Sequence, residues 1–137
     1  MTVGKFLLDT NVAIPFLAND EGVLKRFDSS IEVFVPSVVI GELFYGAYKS
    51  ARASENIKKV SEFALSMRIL PCDLHTGRKY GEVKAVLQNL GKPIPENDLW
   101  ISALALQHNL VLATRDEHFS FIPGLLCDRW QADSHSP

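Results

Sequence analysis

Near its N-terminus the chain reads Lys5-Phe6-Leu7-Leu8-Asp9-Thr10-Asn11. The apolar run predicts a short buried strand, and the three polar residues after it are types that favour turns and helix caps. A helix is predicted directly afterwards, at residues 12–17, with Pro15 tolerated in its first turn. A buried strand followed directly by a helix is the first half of a parallel α/β unit, so the rest of the chain is expected to continue this alternation.

The same alternation continues to the C-terminus. Further strands are predicted at residues 31–35, 68–71, 110–113 and 125–127. Further helices are predicted at 22–27, 38–50, 54–67 and 74–90, with one more that begins at Asn97 or Asp98 and ends near 108, and a helical turn at 116–119. Strands that alternate with helices predict a parallel sheet that is covered on both faces. We therefore expect an α/β fold, a three-layer sandwich with a central, mainly parallel sheet, in which residues 1–137 form a single domain.

Local signals support these boundaries. Ser37 is a candidate cap for the helix after the second strand, and Asp73 for the longest helix. Gly91 stands where a helix typically ends in a left-handed residue, and Asn109 has the same role after the next helix.

Composition excludes several classes of protein. The chain has 137 residues, of which 47% are hydrophobic and 22% charged, so it is neither disordered nor low in complexity. Its longest apolar stretch, residues 99–106, is too short for a membrane span, and its N-terminus is charged too early for a signal peptide. Cys72 and Cys127 lack a CxxC spacing, so we expect two buried, reduced thiols, no zinc and a cytoplasmic location.

Four carboxylates do not fit the structural pattern. Asp9 ends the first strand and Asp116 follows the strand at 110–113, so both are expected at one edge of the sheet, where α/β proteins form their sites. Asp98 begins a helix that is apolar nearly all round and therefore buried. Glu42 interrupts an apolar helix, where a carboxylate is costly unless it is satisfied.

Each of these acids also has a structural interpretation. Asp9, Asp98 and Asp116 could be ordinary turn or cap residues, and Glu42 could face solvent on a helix flank. A single hard divalent cation would account for all four together, and oxygen ligands favour magnesium or manganese over zinc. The net charge of −2 argues mildly against a nucleic-acid partner, but bound cations would reverse that locally.

Other α/β site types lack their residues. The chain has neither a GxxxxGK[ST] loop nor a GxGxxG turn, and Asp9-Thr10-Asn11-Val12 lacks the second Asp of haloacid-type hydrolases. The paired acids and late-strand Lys of a receiver domain are not evident. Ser37 and Ser102 have no evident His partner, and we expect His75, His108 and His118 at the surface or at caps.

Four segments carry a family resemblance, in order and with matching spacing. They are Leu7-Leu8-Asp9-Thr10-Asn11, Gly41-Glu42-Leu43 with Tyr45-Gly46, Asn97-Asp98-Leu99-Trp100-Ile101-Ser102-Ala103, and Leu112-Ala113-Thr114-Arg115-Asp116-Glu117-His118-Phe119. In these segments the chain resembles the PIN-domain endoribonucleases, specifically the VapC-type toxins of type II toxin–antitoxin systems. Trp100 and Ser102 stand where smaller or more aliphatic residues are common, which leaves substrate details open.

The resemblance implies roles for individual residues. Asp9 and Asp98 would be the principal ligands of Mg²⁺ or Mn²⁺, and Glu42 and Asp116 would complete the cluster directly or through water. Thr114 would offer a hydroxyl to a ligand or to phosphate, and Asn11 would steady the Asp9 loop.

The resemblance also implies an RNA substrate, with transfer and ribosomal RNA both possible, a VapB-like antitoxin as partner, and a homodimer. Two other function classes stay open at this point. One is a binding module that kept the fold without catalysis, and the other is a different phosphate-ester enzyme such as a small phosphatase.

Overall fold

A computed structural model describes residues 4–131, in which five strands and six α-helices alternate as the sequence predicts. The elements are β1 (Lys5–Leu8), α1 (Thr10–Leu17), α2 (Glu21–Asp28), β2 (Glu32–Pro36), α3 (Ser37–Tyr48), α4 (Ala53–Ser66), β3 (Arg68–Leu70), α5 (Leu74–Asn89), α6 (Glu96–His108), β4 (Val111–Thr114), a 3₁₀ turn (His118–Phe121) and β5 (Cys127–Arg129). The predicted fold class, a three-layer α/β sandwich, is confirmed.

All five strands lie in one parallel sheet of order β3-β2-β1-β4-β5. The chain therefore builds outward from β1 to β3, then returns to place β4 on the other side of β1. Because parallel crossovers are right-handed, this reversal puts α5 and α6 on the opposite face from the earlier helices. The reversal also opens a crevice at the carboxyl ends of β1 and β4, where such folds bind ligands.

The core is centred on these two strands and on α6. Leu7, Leu8 and Leu112 are completely buried, and α6 buries Ile101 and Leu104 to the same extent. Ser102, which interrupts the apolar stretch at residues 99–106 of α6, is also buried, and its hydroxyl donates to the Asp98 carbonyl oxygen at 2.7 Å. The prediction that α6 is buried is confirmed for its central residues, whereas its first two residues, Glu96 and Asn97, are exposed.

Five of the six predicted helix starts were one or two residues late, and in α1, α3 and α6 the difference changes the cap. Helix α1 begins at Thr10 because Asp9 is itself the N-cap, with its side chain accepting from the Thr10 amide. Pro36 precedes α3 as its N-cap, so the predicted capping role of Ser37 was wrong. Pro95 is the N-cap of α6, which places Asp98 inside the first turn instead of at the opening.

The last strand and the two thiols also differ from expectation. Strand β5 covers Cys127–Arg129 instead of 125–127, because these are the residues that pair with Leu112, Ala113 and Thr114 of β4. Cys72 and Cys127 are free, but both are exposed, since one lies in the loop before α5 and the other in an edge strand. None of the helices within residues 4–131 is long and apolar enough to cross a membrane.

Two glycines of the α5 region give opposite predictions. Gly91, just past the helix, has a φ of +67°, whereas Gly81 lies inside α5, and a Cβ at either position meets open space. Gly91→Ala should lower the free energy of unfolding by about 1–2 kcal/mol because left-handed backbone strains an L-residue. Gly81→Ala should raise it by up to about 1 kcal/mol through helix propensity. Urea unfolding of both variants tests this, and a shift of the same sign in both would contradict it.

Candidate active site

The Asp9 carboxylate ties β1 to β4 at the crevice. Its Oδ1 accepts from the Thr10 backbone N–H at 2.7 Å, and its Oδ2 accepts from the Thr114 hydroxyl at 2.8 Å. Asp9 is only 3% exposed, and Thr114 is equally buried. The Thr114 hydroxyl oxygen also accepts from the Asp116 backbone N–H at 3.0 Å. One hydroxyl therefore fixes both the orientation of Asp9 and the course of the chain that leads to Asp116.

Asn11 strengthens the same junction. Its side-chain Oδ1 accepts from the Arg115 backbone N–H at 3.1 Å. This bond joins the first turn of α1 to the segment that leaves β4. Asn11 thus holds the Asp9 turn against its neighbour without contributing a charge.

Glu42 faces this site from α3. The Thr10 hydroxyl donates to its Oε1 at 2.7 Å, and the residue is half-buried. The interpretation of Glu42 as a solvent-facing residue on a helix flank is therefore wrong. Thr10 joins Asp9 and Glu42 into one polar group, because its backbone N–H serves the first and its hydroxyl serves the second.

Asp98 and Asp116 approach from the other side, together with a histidine. His118 Nε2 lies 2.8 Å from Asp98 Oδ2 and 3.9 Å from Asp116 Oδ2. Asp98, Asp116 and His118 each offer one ligand atom, and these atoms lie within 4.8 Å of one another. Asp98 is half-buried in the first turn of α6, whereas Asp116 is exposed at the mouth.

The carboxylates disturb one another's ionisation. Burial raises the pKa of Asp9 to about 6, the charges of Asp98 and Asp116 push it in the same direction, and the hydrogen bonds from Thr114 and Thr10 oppose the rise. Burial is also the largest reason that the pKa of Asp98 is raised; the charges of Asp116 and Glu42 add to it, and His118 opposes it. Hydrogen bonds through Thr10 and Thr114 link Asp9 to Glu42 and to the segment of Asp116, whereas the ligand atoms that lie within 4.8 Å of one another belong to Asp98, Asp116 and His118.

The donor set fits a hard divalent cation. Such ions take carboxylate and water oxygens as ligands, and their charge relieves the repulsion that raises these pKa values. The crevice therefore combines what a metal site needs, which is several acids on firmly packed elements and an open side for solvent.

Two residues of the site escaped the sequence analysis. Thr10 was identified only as part of a turn, and His118 was expected at the surface or as a cap; its side chain is 36% exposed, but the prediction missed its contact with Asp98. The available signal for His118 was its position two residues after Asp116, since a tight turn there returns the side chain to the cluster. Trp100 and Ser102 have packing roles instead: Trp100 stacks on Tyr80 with ring centroids 4.1 Å apart, and Ser102 is buried.

Comparison with known proteins gives one consistent result. The sequence profile of the PIN domain matches residues 6–125. Ribonuclease VapC2 of Haemophilus influenzae is 32% identical over 129 residues, covering 92% of this chain and 98% of the relative. The tRNA(fMet)-specific endonuclease VapC of Salmonella typhimurium is 31% identical over the same shares of both chains.

Solved structures agree with the sequence comparison. A chain of DNA-bound VapBC from Salmonella typhimurium superposes with a TM-score of 0.87 at 30% identity, covering 93% of this chain and 99% of that one. A chain of VapBC2 from Rickettsia felis, bound to a promoter DNA fragment, gives a TM-score of 0.86 at 26% identity, with 92% and 98% covered.

The raised pKa of Asp9 predicts how the metal-free protein responds to pH. With a pKa of about 6 in the folded chain and about 4 when unfolded, Asp9 holds its proton more tightly in the native state. Its contribution to stability is complete below about pH 4 and is lost as pH rises through about 6, by roughly 3 kcal/mol in total. In chelator, Asp9→Asn should therefore be more stable than wild type at pH 7, and the gap should close toward pH 4.

Urea unfolding between pH 4 and 8 measures this gap. Asp28→Asn, at an exposed carboxylate on the end of α2, is the matched control and should show no such pH dependence. A constant difference between Asp9→Asn and wild type across this pH range would contradict the prediction.

Proposed function

The chain belongs to the PIN domain family and to its VapC group, and from this we propose that it is the toxin of a type II toxin–antitoxin pair. Its activity would be the Mg²⁺- or Mn²⁺-dependent hydrolysis of RNA phosphodiester bonds. The observation that carries the proposal is geometric: Thr10 joins Asp9 to Glu42, Thr114 joins Asp9 to the segment of Asp116, and Asp116 lies with Asp98 in one group of ligand atoms within 4.8 Å.

In this proposal the four carboxylates hold the metal, and neighbouring residues set their positions. A bound divalent cation would lower the pKa of a water molecule and offset negative charge on the phosphate. Thr114 and the Thr10 amide fix the orientation of Asp9. The Thr10 hydroxyl donates to Oε1 of Glu42, so Oε2 would be the oxygen that binds water or the ion. Asp116, the most exposed of the four, is the acid that an approaching backbone would meet first.

RNA is the substrate that the relatives favour, and two of them, from Salmonella typhimurium and Shigella flexneri, are named as tRNA(fMet)-specific endonucleases. We propose structured RNA, with transfer RNA as the first candidate, which would be met in the cytoplasm. The acidic cluster would approach phosphates only through bound cations, which reconciles a net charge of −2 with this substrate.

A VapB-like antitoxin is the proposed protein partner. An open groove of about 340 Å³ runs beside the site, between α1, α3 and α4, and Glu42 lies in its wall. Most of the lining is apolar or small, including Ile14, Leu17, Gly46 and Val60. A partner segment seated in this groove could extend a basic side chain into the acids, where it would stand in for the cation.

Cleavage of RNA is the direct test of the proposed activity. Wild-type protein with Mn²⁺ should cleave transfer RNA, and Asp9→Asn should lose at least about 100-fold in rate, as removal of a key electrostatic group typically does. Asp28→Asn should keep wild-type activity, and a chromogenic phosphate ester should not be hydrolysed. Hydrolysis of the ester alone would indicate a phosphatase, and metal binding without any cleavage would indicate a binding module.

Co-purification tests the partner and the assembly. The product of the neighbouring small reading frame should co-purify with wild type and with Gly81→Arg, but not with Gly46→Arg. Both glycines lie on helices where an added Cβ meets no other atom, but only Gly46 lines the groove. Light scattering of the toxin at micromolar concentration should give twice the 15.3 kDa of one chain. Retention of the partner by Gly46→Arg would move its binding site elsewhere, and a monomer would refute the dimer.

A further inference from the structure

His118 is held toward the acid cluster by its own turn. It opens the 3₁₀ turn His118–Phe121, in which Phe119 is 1% exposed and anchors the turn in the core. The imidazole packs on the Phe119 ring, with centroids 4.7 Å apart and a tilt of 35°. The direction of the ring is therefore set by packing as well as by its contact with Asp98.

The spacing of the donors suits a single ion. With bonds of about 2.1 Å, two ligands on one octahedral ion lie about 3.0 Å apart when adjacent and about 4.2 Å apart when opposite. His118 Nε2 lies 2.8 Å from the Asp98 oxygen and 3.9 Å from the Asp116 oxygen. The three ligand atoms lie within 4.8 Å of one another, a spacing that one ion can span once the imidazole turns from its hydrogen bond with Asp98 toward that ion.

We propose that His118 is a metal ligand in this chain and that it biases the site toward first-row transition ions over Mg²⁺. The inference rests on the proposed function and deepens it by specifying the ion class. Mg²⁺ strongly prefers oxygen ligands and retained waters. An imidazole nitrogen instead favours transition ions, whose affinities for such a site rise from Mn²⁺ to Co²⁺. The oxygen-only donor set expected from the sequence therefore becomes a mixed nitrogen and oxygen set.

The competing role is that His118 only positions Asp98 through a hydrogen bond. Two substitutions separate these roles. His118→Gln keeps a side-chain N–H that can donate to Asp98 but removes the imidazole nitrogen, whereas His118→Ala removes both. His108→Ala is the control, because His108 is exposed at the end of α6 and is not among the clustered donors. His118 is 36% exposed at its side chain, so neither substitution opens a cavity in the core.

Equilibrium metal binding to the purified full-length chain is the test. Free Mn²⁺ is followed by electron paramagnetic resonance, Co²⁺ by its visible absorption, and Mg²⁺ by competition against Mn²⁺. In wild type, affinity should follow the order Co²⁺, Mn²⁺, Mg²⁺. Both His118 variants should lose about 10–100-fold in affinity for Co²⁺ and Mn²⁺, with Mg²⁺ affinity changed by no more than about twofold. His108→Ala should match wild type.

Several results would overturn the inference. Equal losses for all three ions, with recovery in His118→Gln, would make His118 a positioning residue. A wild type that cleaves RNA but binds Mg²⁺ as tightly as Mn²⁺ would refute the inference and leave the proposed function standing. A wild type that binds none of the ions would refute both. Melting of each variant in chelator verifies that the chains compared are folded.

Discussion

Burial of the Asp9 carboxylate is the constraint around which the crevice is built. A charge out of contact with water is costly, and here two donors, the Thr10 amide and the Thr114 hydroxyl, offset part of that cost. The remaining cost is visible in a pKa of about 6. Because the two donors belong to the segments after β1 and at the end of β4, satisfying Asp9 also fixes the two central strands relative to each other. The carboxylate is thus a structural tie and a member of the candidate active site at once.

The apolar parts of the fold keep the other acids in place. Carboxylates that repel one another would move apart if their elements were loosely packed. Asp98 is prevented from doing so by α6, which is buried nearly all round, and Glu42 is held by the Thr10 hydroxyl. Packing energy therefore maintains an arrangement that electrostatics alone disfavours. A cation that binds only the native state would stabilise the fold by mass action and so offset part of the repulsion between the carboxylates.

The sequence predicted the parts of this design that depend on periodicity and on strand ends. Asp9 and Asp116 were identified because they follow the ends of strands. Asp98 was identified because it begins an apolar helix, and Glu42 because it is a carboxylate within an otherwise apolar helix. Thr10 and His118 could not be predicted, because their roles depend on which side of a turn a side chain faces. Strand β5 was predicted two residues too early. Its position is set by backbone pairing with β4, and Asp128 and Arg129 are not residue types that indicate a strand.

The position of the groove beside the acids has a consequence for control of the protein. A single basic side chain is a weak substitute for a divalent ion, because it carries half the charge and pays for its own desolvation. It competes effectively only when a tether raises its local concentration. Glu42 lies in the wall of the apolar groove, so a segment bound there would provide such a tether. Affinity would then come from buried apolar surface, whereas inhibition would come from one charge. Under the proposed function, this division would let a partner bind through its fit to the groove and inhibit through its charge.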